Sequence, residues 1–253
     1  MTTEAMNIVN PPEIGAWLDE WISSDALPTS DEHDCPYLPD RRARIQGFSV
    51  ASLPGPVYRA LMDRNFRRSG KLLYRPACPA CALCRQLRVR VADFRPSRSQ
   101  RRVLRRNRDV TVRCVAEPQP SVEKWELFRR YIAQRHTRPM LDNYHQFVQF
   151  LYAEPIASIE FDYFADGQLA GVSLVDRCDD ALSSVYMYFD PALSKRSPGT
   201  LSVLREIEHC RGAGIPYYYL GYHVAGARTM DYKARYKPHQ VLDDDRSWRQ
   251  VDD

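Results

Sequence analysis

Apolar side chains near the start of the chain recur at helical spacing. Ile14, Trp17, Leu18, Trp21 and Ile22 follow the order i, i+3, i+4, i+7, i+8. This spacing predicts an amphipathic helix with one wide apolar face. The three acidic residues of the segment, Glu13, Asp19 and Glu20, lie outside this apolar set.

The next part of the chain combines apolar positions with many arginines. A second helix is predicted from Gly55 to Ser69, with Gly70 as its C-cap. Between residues 71 and 95, the segments KLLYRP and QLRVRVADF alternate apolar and basic residues, which predicts two strands. A helix predicted from about Ser97 to Asp109 has only two large apolar residues to bury, and its other faces are mostly arginine.

The second half of the chain begins with two predicted helices. Ser121 is expected to cap a helix that continues through His136, and Asp142 is expected to cap a helix over residues 143–152. The apolar period then changes to two. ASIEFDYFA and QLAGVSLVD, joined by Asp166-Gly167, predict a hairpin, and ALSSVYMYFD predicts a third strand.

A helix from Thr200 to Gly212 and a strand over IPYYYLGYH follow. This order of elements resembles the acetyltransferase-like (GNAT) fold. We therefore expect an α+β protein with a mixed sheet and helices, preceded by a smaller Cys- and Arg-rich region. The AEPQPS segment near residues 114–121 is a candidate linker, so the expected division is residues 1–113 and 114–253.

The composition is that of an ordinary globular protein, with 44% hydrophobic and 27% charged residues in 253. No apolar run approaches the roughly 18 residues that a membrane-spanning helix needs. The first 34 residues hold eight acidic residues and no Lys or Arg, unlike the basic start of a secretory signal. These features predict a cytoplasmic protein with no membrane partner, whose seven cysteines stay reduced.

The net charge of +4 conceals a strongly basic middle third. Residues 35–113 hold 20 basic residues, 19 of them Arg, against four acidic ones. Guanidinium groups bind phosphate through paired hydrogen bonds, and a basic block of this size is typical of a nucleic-acid partner. A solvated basic face is the alternative.

Four cysteines have spacings that permit a metal site. Cys78, Cys81 and Cys84 form two overlapping C-x-x-C units, and Cys35 could supply a fourth thiolate. Four thiolates would suit structural zinc or an iron–sulfur cluster, whereas the alternative is a loop of packed thiols. Cys114, Cys178 and Cys210 are expected to be packing residues.

Three segments in a fixed order carry a family resemblance: NFRRSG, then SRSQRR, then YYYLGY followed by YKARYKP. From about Cys35 to Pro238 the chain resembles the aminoacyl-tRNA–protein transferase family, in particular its bacterial aspartate/glutamate leucyltransferase branch. The resemblance implies transfer of leucine from Leu-tRNA to a protein that begins with Asp or Glu, which marks the protein for degradation through the N-degron route. It leaves an arginyl donor open, since eukaryotic relatives transfer Arg.

The expected chemistry needs no cofactor and no side-chain nucleophile. The aminoacyl ester is already activated, and an N-terminal amine with a pKa of about 7.7 to 8 is partly neutral near pH 7. The enzyme must orient the amine against the ester and stabilise the oxyanion. Candidates for substrate positioning are Tyr186, Tyr188, Tyr218, Tyr222, Lys233 and Tyr236. At strand period, Tyr186 and Tyr188 should share one face, as should Tyr218 and Tyr222.

Binding roles follow from charge and helix geometry. An acidic acceptor needs a cation, and Arg67 or Arg68 is the first choice, ahead of the basic residues of the tail motif. The helix start at Gly199 and Thr200 is a candidate seat for the tRNA 3′ end. The expected tRNA-binding arginines are Arg98, Arg101, Arg102, Arg105 and Arg106.

Two rival functions use parts of the same pattern. A coenzyme A-dependent N-acetyltransferase would share the fold but predicts a glycine-rich phosphate loop and no basic block. A Cys-rich RNA-binding module would explain residues 35–113 and leave the tyrosine-rich second half without a role.

Overall fold

The chain folds into helices and strands, and the computed structural model describes residues 11–23, 27–135, 141–153 and 155–252. In chain order the elements are α1 (Pro11–Ser23), β1 (His33–Asp34), β2 (Arg42–Ala43), β3 (Ile45–Ser49), α2 (Gly55–Met62), β4 (Arg67–Ser69), β5 (Leu72–Pro76), β6 (Cys84–Arg90), α3 (Arg98–Arg106), β7 (Thr111–Val115), α4 (Val122–Arg135), α5 (Tyr144–Leu151), β8 (Ser158–Ala165), β9 (Gln168–Arg177), β10 (Ala181–Phe189), α6 (Pro198–Gly212), β11 (Tyr217–Val224), β12 (His239–Leu242) and β13 (Trp248–Val251). Two 3-10 helices, Pro191–Arg196 and Asp231–Arg235, precede α6 and β12.

An eight-stranded mixed sheet forms the centre of the fold. Its strand order is β13-β12-β6-β11-β10-β9-β8-β7, and only β10 and β11 run parallel. A three-stranded sheet, β3-β5-β4, and the pair β1-β2 complete the strands. None of the helices among the described residues is long and apolar enough to cross a membrane.

The parallel pair in the middle of the sheet separates early. β10 and β11 pair only over Ala181–Ser183 and Tyr217–Tyr219. Beyond these residues each strand is irregular against its other neighbour, β10 after Ser184 and β11 after Tyr219. A bulge increases the local twist of a strand, so the two strands diverge and leave a cleft between them.

Three apolar cores hold the helices on this sheet. α6 covers β6, β8 and β11, whereas α4 and α5 pack on β9 and β10. The third core joins α1, α2 and the three-stranded sheet to Tyr219 of β11. β4 is therefore held close to the point at which β10 and β11 diverge.

Most of the predicted elements are confirmed, but the helix predicted from Gly55 to Ser69 is wrong in its second half. α2 ends at Met62, and Asn65 has a positive φ of 65° that no helix accommodates. The following residues form β4, so Gly70, with φ +56°, lies in the turn between β4 and β5 and is not a helix C-cap. The apolar positions of this segment satisfied a helical period, but the backbone turns back before the helix is complete.

The helix caps of the second half differ in one place. Ser121 Oγ accepts from the backbone N–H of Lys124, which confirms the cap of α4, while His136 lies outside the described residues. Asn143, not Asp142, caps α5, because its side chain accepts from the N–H of Gln146. The Asp166-Gly167 hairpin is confirmed, with positive φ at both residues.

The domain boundary at residues 113 and 114 stays a prediction. β6, from the N-terminal side of this boundary, pairs with β11 and β12 from its C-terminal side. The cleft consequently contains side chains from both parts of the chain.

Candidate active site

A cavity of about 850 Å³ fills the cleft between the diverging strands. Ser184 to Met187 and Phe189 line it from β10, and Leu220 and Tyr222 line it from β11. The start of α6 and residues 228–230 close other sides. Of the residues that the structure describes, none that lines the cavity is Asp or Glu.

Arg67 lies at the apex of the cleft. Its Nη2 donates to the backbone oxygen of Ser184 at 2.8 Å, and its guanidinium lies 5.9 Å from the centre of the Tyr222 ring. Nη1 is shielded from solvent and has no hydrogen-bond partner among the described residues. Burial disfavours the charged form, but Tyr74, Tyr58 and Tyr222 around it raise the pKa of Arg67, so the guanidinium stays charged.

Gly221 makes the space for this guanidinium. A Cβ atom at this position would stand 1.2 Å from Nη1 of Arg67, and the backbone has a φ of +75°. Both observations require glycine here. The same residue turns β11 away from its regular register, so one glycine admits the cation and helps to open the cleft.

Arg68 has a different role from its neighbour. Its Nε and Nη2 donate to the carboxylate of Asp176, with Nη2 at 2.6 Å from Oδ1, and both side chains are buried. Such a pair is neutralised within the fold, and removing one partner typically costs about 3 to 5 kcal/mol. Arg68 lines the cavity, and its acceptor role stays a prediction. Because its charge is already paired with Asp176, Arg67 is the better candidate of the two.

Lys233 supplies a second buried cation beside Arg67. It lies in the second 3-10 helix, and its Nζ donates to the backbone oxygen of Tyr222 at 2.7 Å. Burial, together with the nearby Arg67 charge, lowers the pKa of Lys233 to about 7. Of the other basic residues in the tail motif, Arg228 lines the cavity, while Arg235 and Lys237 do not.

The depressed pKa of Lys233 predicts a pH-dependent cost to stability. The unfolded chain holds this proton up to a pKa of about 10.4, so between pH 7 and 10 the unfolded state binds more protons and wild-type stability rises with pH. Relative to Lys233→Met, the wild-type free energy of unfolding should rise by about 2 kcal/mol between pH 7 and pH 9. Urea denaturation of both proteins at each pH measures this, and a difference that stays constant with pH would contradict it.

The predicted tyrosines divide between the cavity and the core. Tyr186 and Tyr222 line the cavity, whereas Tyr188, Tyr218 and Tyr236 are buried and do not line it. Tyr186 and Tyr188 share a face, with ring centres 6.5 Å apart, as predicted.

The predicted shared face of Tyr218 and Tyr222 is wrong. The Tyr218 hydroxyl donates to Glu206 of α6, while the Tyr222 hydroxyl donates to the backbone oxygen of Asn65 on the other face. The irregularity between Tyr219 and Gly221 shifts the alternation by one residue.

The start of α6 lies at another side of the cavity. Ser197, Pro198, Gly199 and Thr200 line it, and Ser197 has a φ of +59°. Pro198 has no N–H, and the N–H of Thr200 already donates to the backbone oxygen of Ser197 at 3.0 Å, so the Gly199 amide is the donor that this helix start offers to a ligand. The predicted seat at Gly199 and Thr200 is therefore part of the cavity surface.

The five predicted tRNA-binding arginines all lie on α3 and are exposed. A capping box formed by Ser97 and Gln100 begins this helix. No carboxylate of the described residues forms an ion pair with any of the five. α3 also meets the rim of the cavity, since Arg106 donates to the backbone oxygen of Lys195 at 2.6 Å and Asn107 to that of Arg196 at 2.9 Å.

The four candidate metal-binding cysteines lie apart from the cavity lining. Cys35, Cys78, Cys81 and Cys84 are half-buried free thiols. Burial, and after it the neighbouring thiols of Cys78, Cys35 and Cys81, raises the pKa of Cys84 to about 12. Within the described ranges no three His, Cys, Asp or Glu side chains are arranged to hold a metal ion, so a zinc or iron–sulfur site stays a prediction and no chemical step is assigned to it.

The raised pKa of Cys84 disfavours the thiolate form that a nucleophile needs. Cys84→Ser should lower the thermal stability, because the thiol packs against Tyr74 and Tyr222, but the folded variant should keep its turnover. Scanning calorimetry and transfer kinetics on the same preparation measure both. Loss of turnover in a fully folded variant would instead place chemistry at sulfur, and metal analysis of anaerobically purified protein tests the metal prediction separately.

Several residues that line the cavity were not predicted from the sequence. Tyr37, Tyr74, Tyr131, Phe150 and Phe189 come from five separate segments, and no motif in the sequence marked any of them as a site residue. Only the separation of β10 from β11 brings them together, and the sequence signal for that separation was Gly221 within an aromatic strand.

Comparisons with known proteins give matches over most of the chain. The family model described as arginine-tRNA-protein transferase, N terminus, matches residues 33–102, and the model for the C terminus matches residues 123–243. An aspartate/glutamate leucyltransferase of Hyphomonas neptunium is 38% identical over 227 residues, which cover 87% of this chain and 89% of that relative. The chain belongs to the aminoacyl-tRNA–protein transferase family.

A second relative supports the same membership. The aspartate/glutamate leucyltransferase of Marinobacter nauticus is 39% identical over 223 residues, 87% of this chain and 93% of that protein. As a member of this family, the protein is a transferase whose substrates are an aminoacyl-tRNA and a protein.

The fold has a distant structural relative. FemX matches over 92% of this chain and 75% of its own, with a TM-score of 0.51 and 8% identity. At this identity the likeness describes the fold alone, a mixed sheet with helices on both faces.

Proposed function

We propose that this transferase moves leucine from Leu-tRNA to the N-terminal Asp or Glu of a protein and so marks that protein for degradation. The observation that carries the acceptor part is Arg67, a charged guanidinium at the apex of a cavity whose described lining contains no carboxylate. A buried carboxylate needs such a partner, and a guanidinium offers it two parallel hydrogen bonds. The two relatives' names support the same acceptor and donor.

The chemistry is aminolysis of an ester. The neutral α-amine of the acceptor attacks the leucyl carbonyl carbon, an amide bond forms, and the ester C–O bond to the tRNA ribose breaks. The amine loses one proton and the ribose oxygen gains one. Lys233, with a pKa of about 7, is partly neutral at the pH of the reaction and so is suited to accept the proton from the amine.

Holding the two substrates in one cleft supplies much of the rate enhancement. Correct orientation of bimolecular partners is worth up to about 7 to 11 kcal/mol of the barrier. The Gly199 amide lies where it can contact the tRNA 3′ end, with Thr200 beside it on the cavity surface. The exposed arginines of α3 extend the surface for phosphate beyond the cavity rim.

The finer fold assignment is part of the proposal. A parallel pair that separates within a mostly antiparallel sheet, with a helix beginning at the opening, supports the acetyltransferase-like (GNAT) architecture predicted from the order of elements. A coenzyme A-dependent activity would leave the exposed arginines of α3 without a partner. A cytoplasmic location is supported by the use of aminoacyl-tRNA as donor.

Transfer between defined substrates tests the proposal. The purified protein, Leu-tRNA and peptides that begin with Asp, Glu, Asn or Gln are combined, and mass spectrometry records addition of one leucyl residue. We expect addition to the Asp and Glu peptides and far less to their amide counterparts. A parallel reaction replaces Leu-tRNA with acetyl-coenzyme A. Acetyl addition in that reaction, or no leucyl addition from Leu-tRNA, would overturn the proposal.

A further inference from the structure

The two long walls of the cavity differ in chemistry. On the β11 side the cavity presents Arg228 and Lys233, with Arg67 at the apex. On the β10 side it presents Tyr186 and Phe189, together with Tyr131 of α4 and Phe150 of α5. We call these four residues the aromatic wall. One wall suits an acidic ligand and the other an uncharged one.

The rings of the aromatic wall meet edge to face. The Tyr131 and Tyr186 rings are inclined by 83°, the Phe150 and Tyr186 rings by 77°, and the Tyr131 and Phe189 rings by 65°, with centres 5.0 to 6.5 Å apart. Rings at these angles form a concave surface, not a flat platform. A branched aliphatic group fits such a surface better than a planar base, which stacks on a parallel ring.

The charge of the cavity disfavours a cationic donor side chain. An arginyl group here would find no carboxylate among the described lining residues, and the charged guanidinium of Arg67 would repel it. Contact with the faces of the rings would return only about 0.5 to 2 kcal/mol, whereas an unpaired buried charge costs several kcal/mol. A leucyl group has no such cost.

The aromatic wall is also on the side where tRNA is expected. Phe189 is followed by the 3-10 helix Pro191–Arg196, whose last residues accept hydrogen bonds from Arg106 and Asn107 at the end of α3. A tRNA bound along α3 would therefore bring its 3′ end to the rim next to this wall.

We propose that Tyr131, Phe150, Tyr186 and Phe189 form the subsite for the donor side chain and select leucyl over arginyl donors. This inference rests on the proposed function and deepens it, because neither the sequence nor the family membership decides between the two donors. The acceptor then lies against Arg67 and the β11 side, with the ester between the two walls.

Equilibrium binding of stable donor analogues tests this without turnover. The probes are the 3′-amides of adenosine that carry leucine, alanine or arginine, and adenosine alone, each titrated into the full-length protein by calorimetry. We expect the leucyl amide to bind at least about tenfold more tightly than the alanyl amide and about a hundredfold more tightly than the arginyl amide. Equal binding of all three amides, or an affinity of adenosine that matches that of the leucyl amide, would overturn the proposal.

Substitutions in the aromatic wall test whether these four residues cause the preference for the leucyl amide. Phe150 is half-buried at the end of α5, so Phe150→Ala should reduce the leucyl-over-alanyl preference about tenfold, and Phe150→Glu should improve arginyl binding relative to leucyl at least tenfold. Tyr186→Ala is the second test. Tyr144→Ala, an exposed aromatic on the same helix that does not line the cavity, is the matched control. Unchanged preferences in folded Phe150→Ala and Tyr186→Ala would contradict the assignment.

Transfer assays separate this inference from the proposed function. If the leucyl amide binds in a Phe150-dependent manner but no peptide is modified, the donor subsite stands and the proposed reaction fails. The opposite result is also informative. In that case leucine is transferred to Asp peptides, while Phe150→Ala and Tyr186→Ala change the Asp-over-Asn preference and leave the donor preference unchanged. The aromatic wall then contacts the acceptor, and this inference fails.

Discussion

Arg67→Ala is expected to lower kcat/KM for peptides that begin with Asp or Glu by on the order of 10²-fold. Truncating one partner of a buried charge pair costs about 2 to 5 kcal/mol, and a factor of 10² corresponds to about 2.7 kcal/mol. Peptides that begin with Asn or Gln should change by only a few-fold, since their side chains carry no charge for the guanidinium to bind. The Asp-over-Asn preference should therefore nearly disappear. Steady-state transfer rates with matched peptide pairs measure it.

Two further variants test whether the loss of preference comes from the Arg67 guanidinium. Arg67→Gln keeps a side-chain donor near the Ser184 backbone oxygen and should show the same loss of preference. Arg68→Ala should instead lower stability, because it leaves the buried Asp176 unpaired. An Arg67→Ala variant that loses tRNA affinity while it keeps its Asp-over-Asn preference would move the acceptor site to another cation, such as Arg228.

Reversal of Arg101, Arg102, Arg105 and Arg106 to Glu should weaken tRNA binding by several orders of magnitude. The four side chains are exposed on α3, so the fold should be unaffected. If the wild type makes about five phosphate contacts, log K should fall with log salt at a slope of about −3.5 to −4.5, and the variant should lose most of this slope. Filter binding over a range of salt concentrations measures both quantities.

A control variant with the same change in net charge tests whether the location of these arginines on α3 matters. Arg42, Arg90, Arg129 and Arg249 are exposed but already pair with acidic residues, so their reversal should weaken tRNA binding far less. Equal losses in the two variants would mean that tRNA responds to net charge and not to α3. A wild-type affinity that does not depend on salt would contradict an electrostatic interface altogether.

Elements with a regular period were predictable from the sequence. The amphipathic stripe of α1, the strands β8 to β10 and the Asp166-Gly167 turn each follow from the local side-chain pattern. The irregularities within β8 to β10 were not predicted. The segment after α2 was mispredicted as helix because its apolar period fits either state. Its strand β4 depends on pairing with β5, a contact that no local pattern records.

The candidate site was predictable in part and for a clear reason. Arg67, Lys233, Tyr186 and Tyr222 carried a charge or aromatic signal within recognisable motifs, and the structure places them around one cavity. The sequence could not separate Arg67 from Arg68, because their difference lies in a partner, Asp176, more than a hundred positions away. Nor could the sequence show that the irregularity between Tyr219 and Gly221 places Tyr218 and Tyr222 on opposite faces of β11.

The central claim is that one cleft holds the leucyl ester and the acidic acceptor on opposite walls, with Arg67 at the apex. A crystal structure of the protein with the leucyl 3′-amide of adenosine and an Asp-starting peptide tests it most directly. We expect the Asp carboxylate to lie within hydrogen-bond distance of the Arg67 guanidinium and the leucyl side chain to contact Phe150 and Tyr186. A carboxylate bound away from Arg67, or either ligand bound outside the cleft between β10 and β11, would contradict the account.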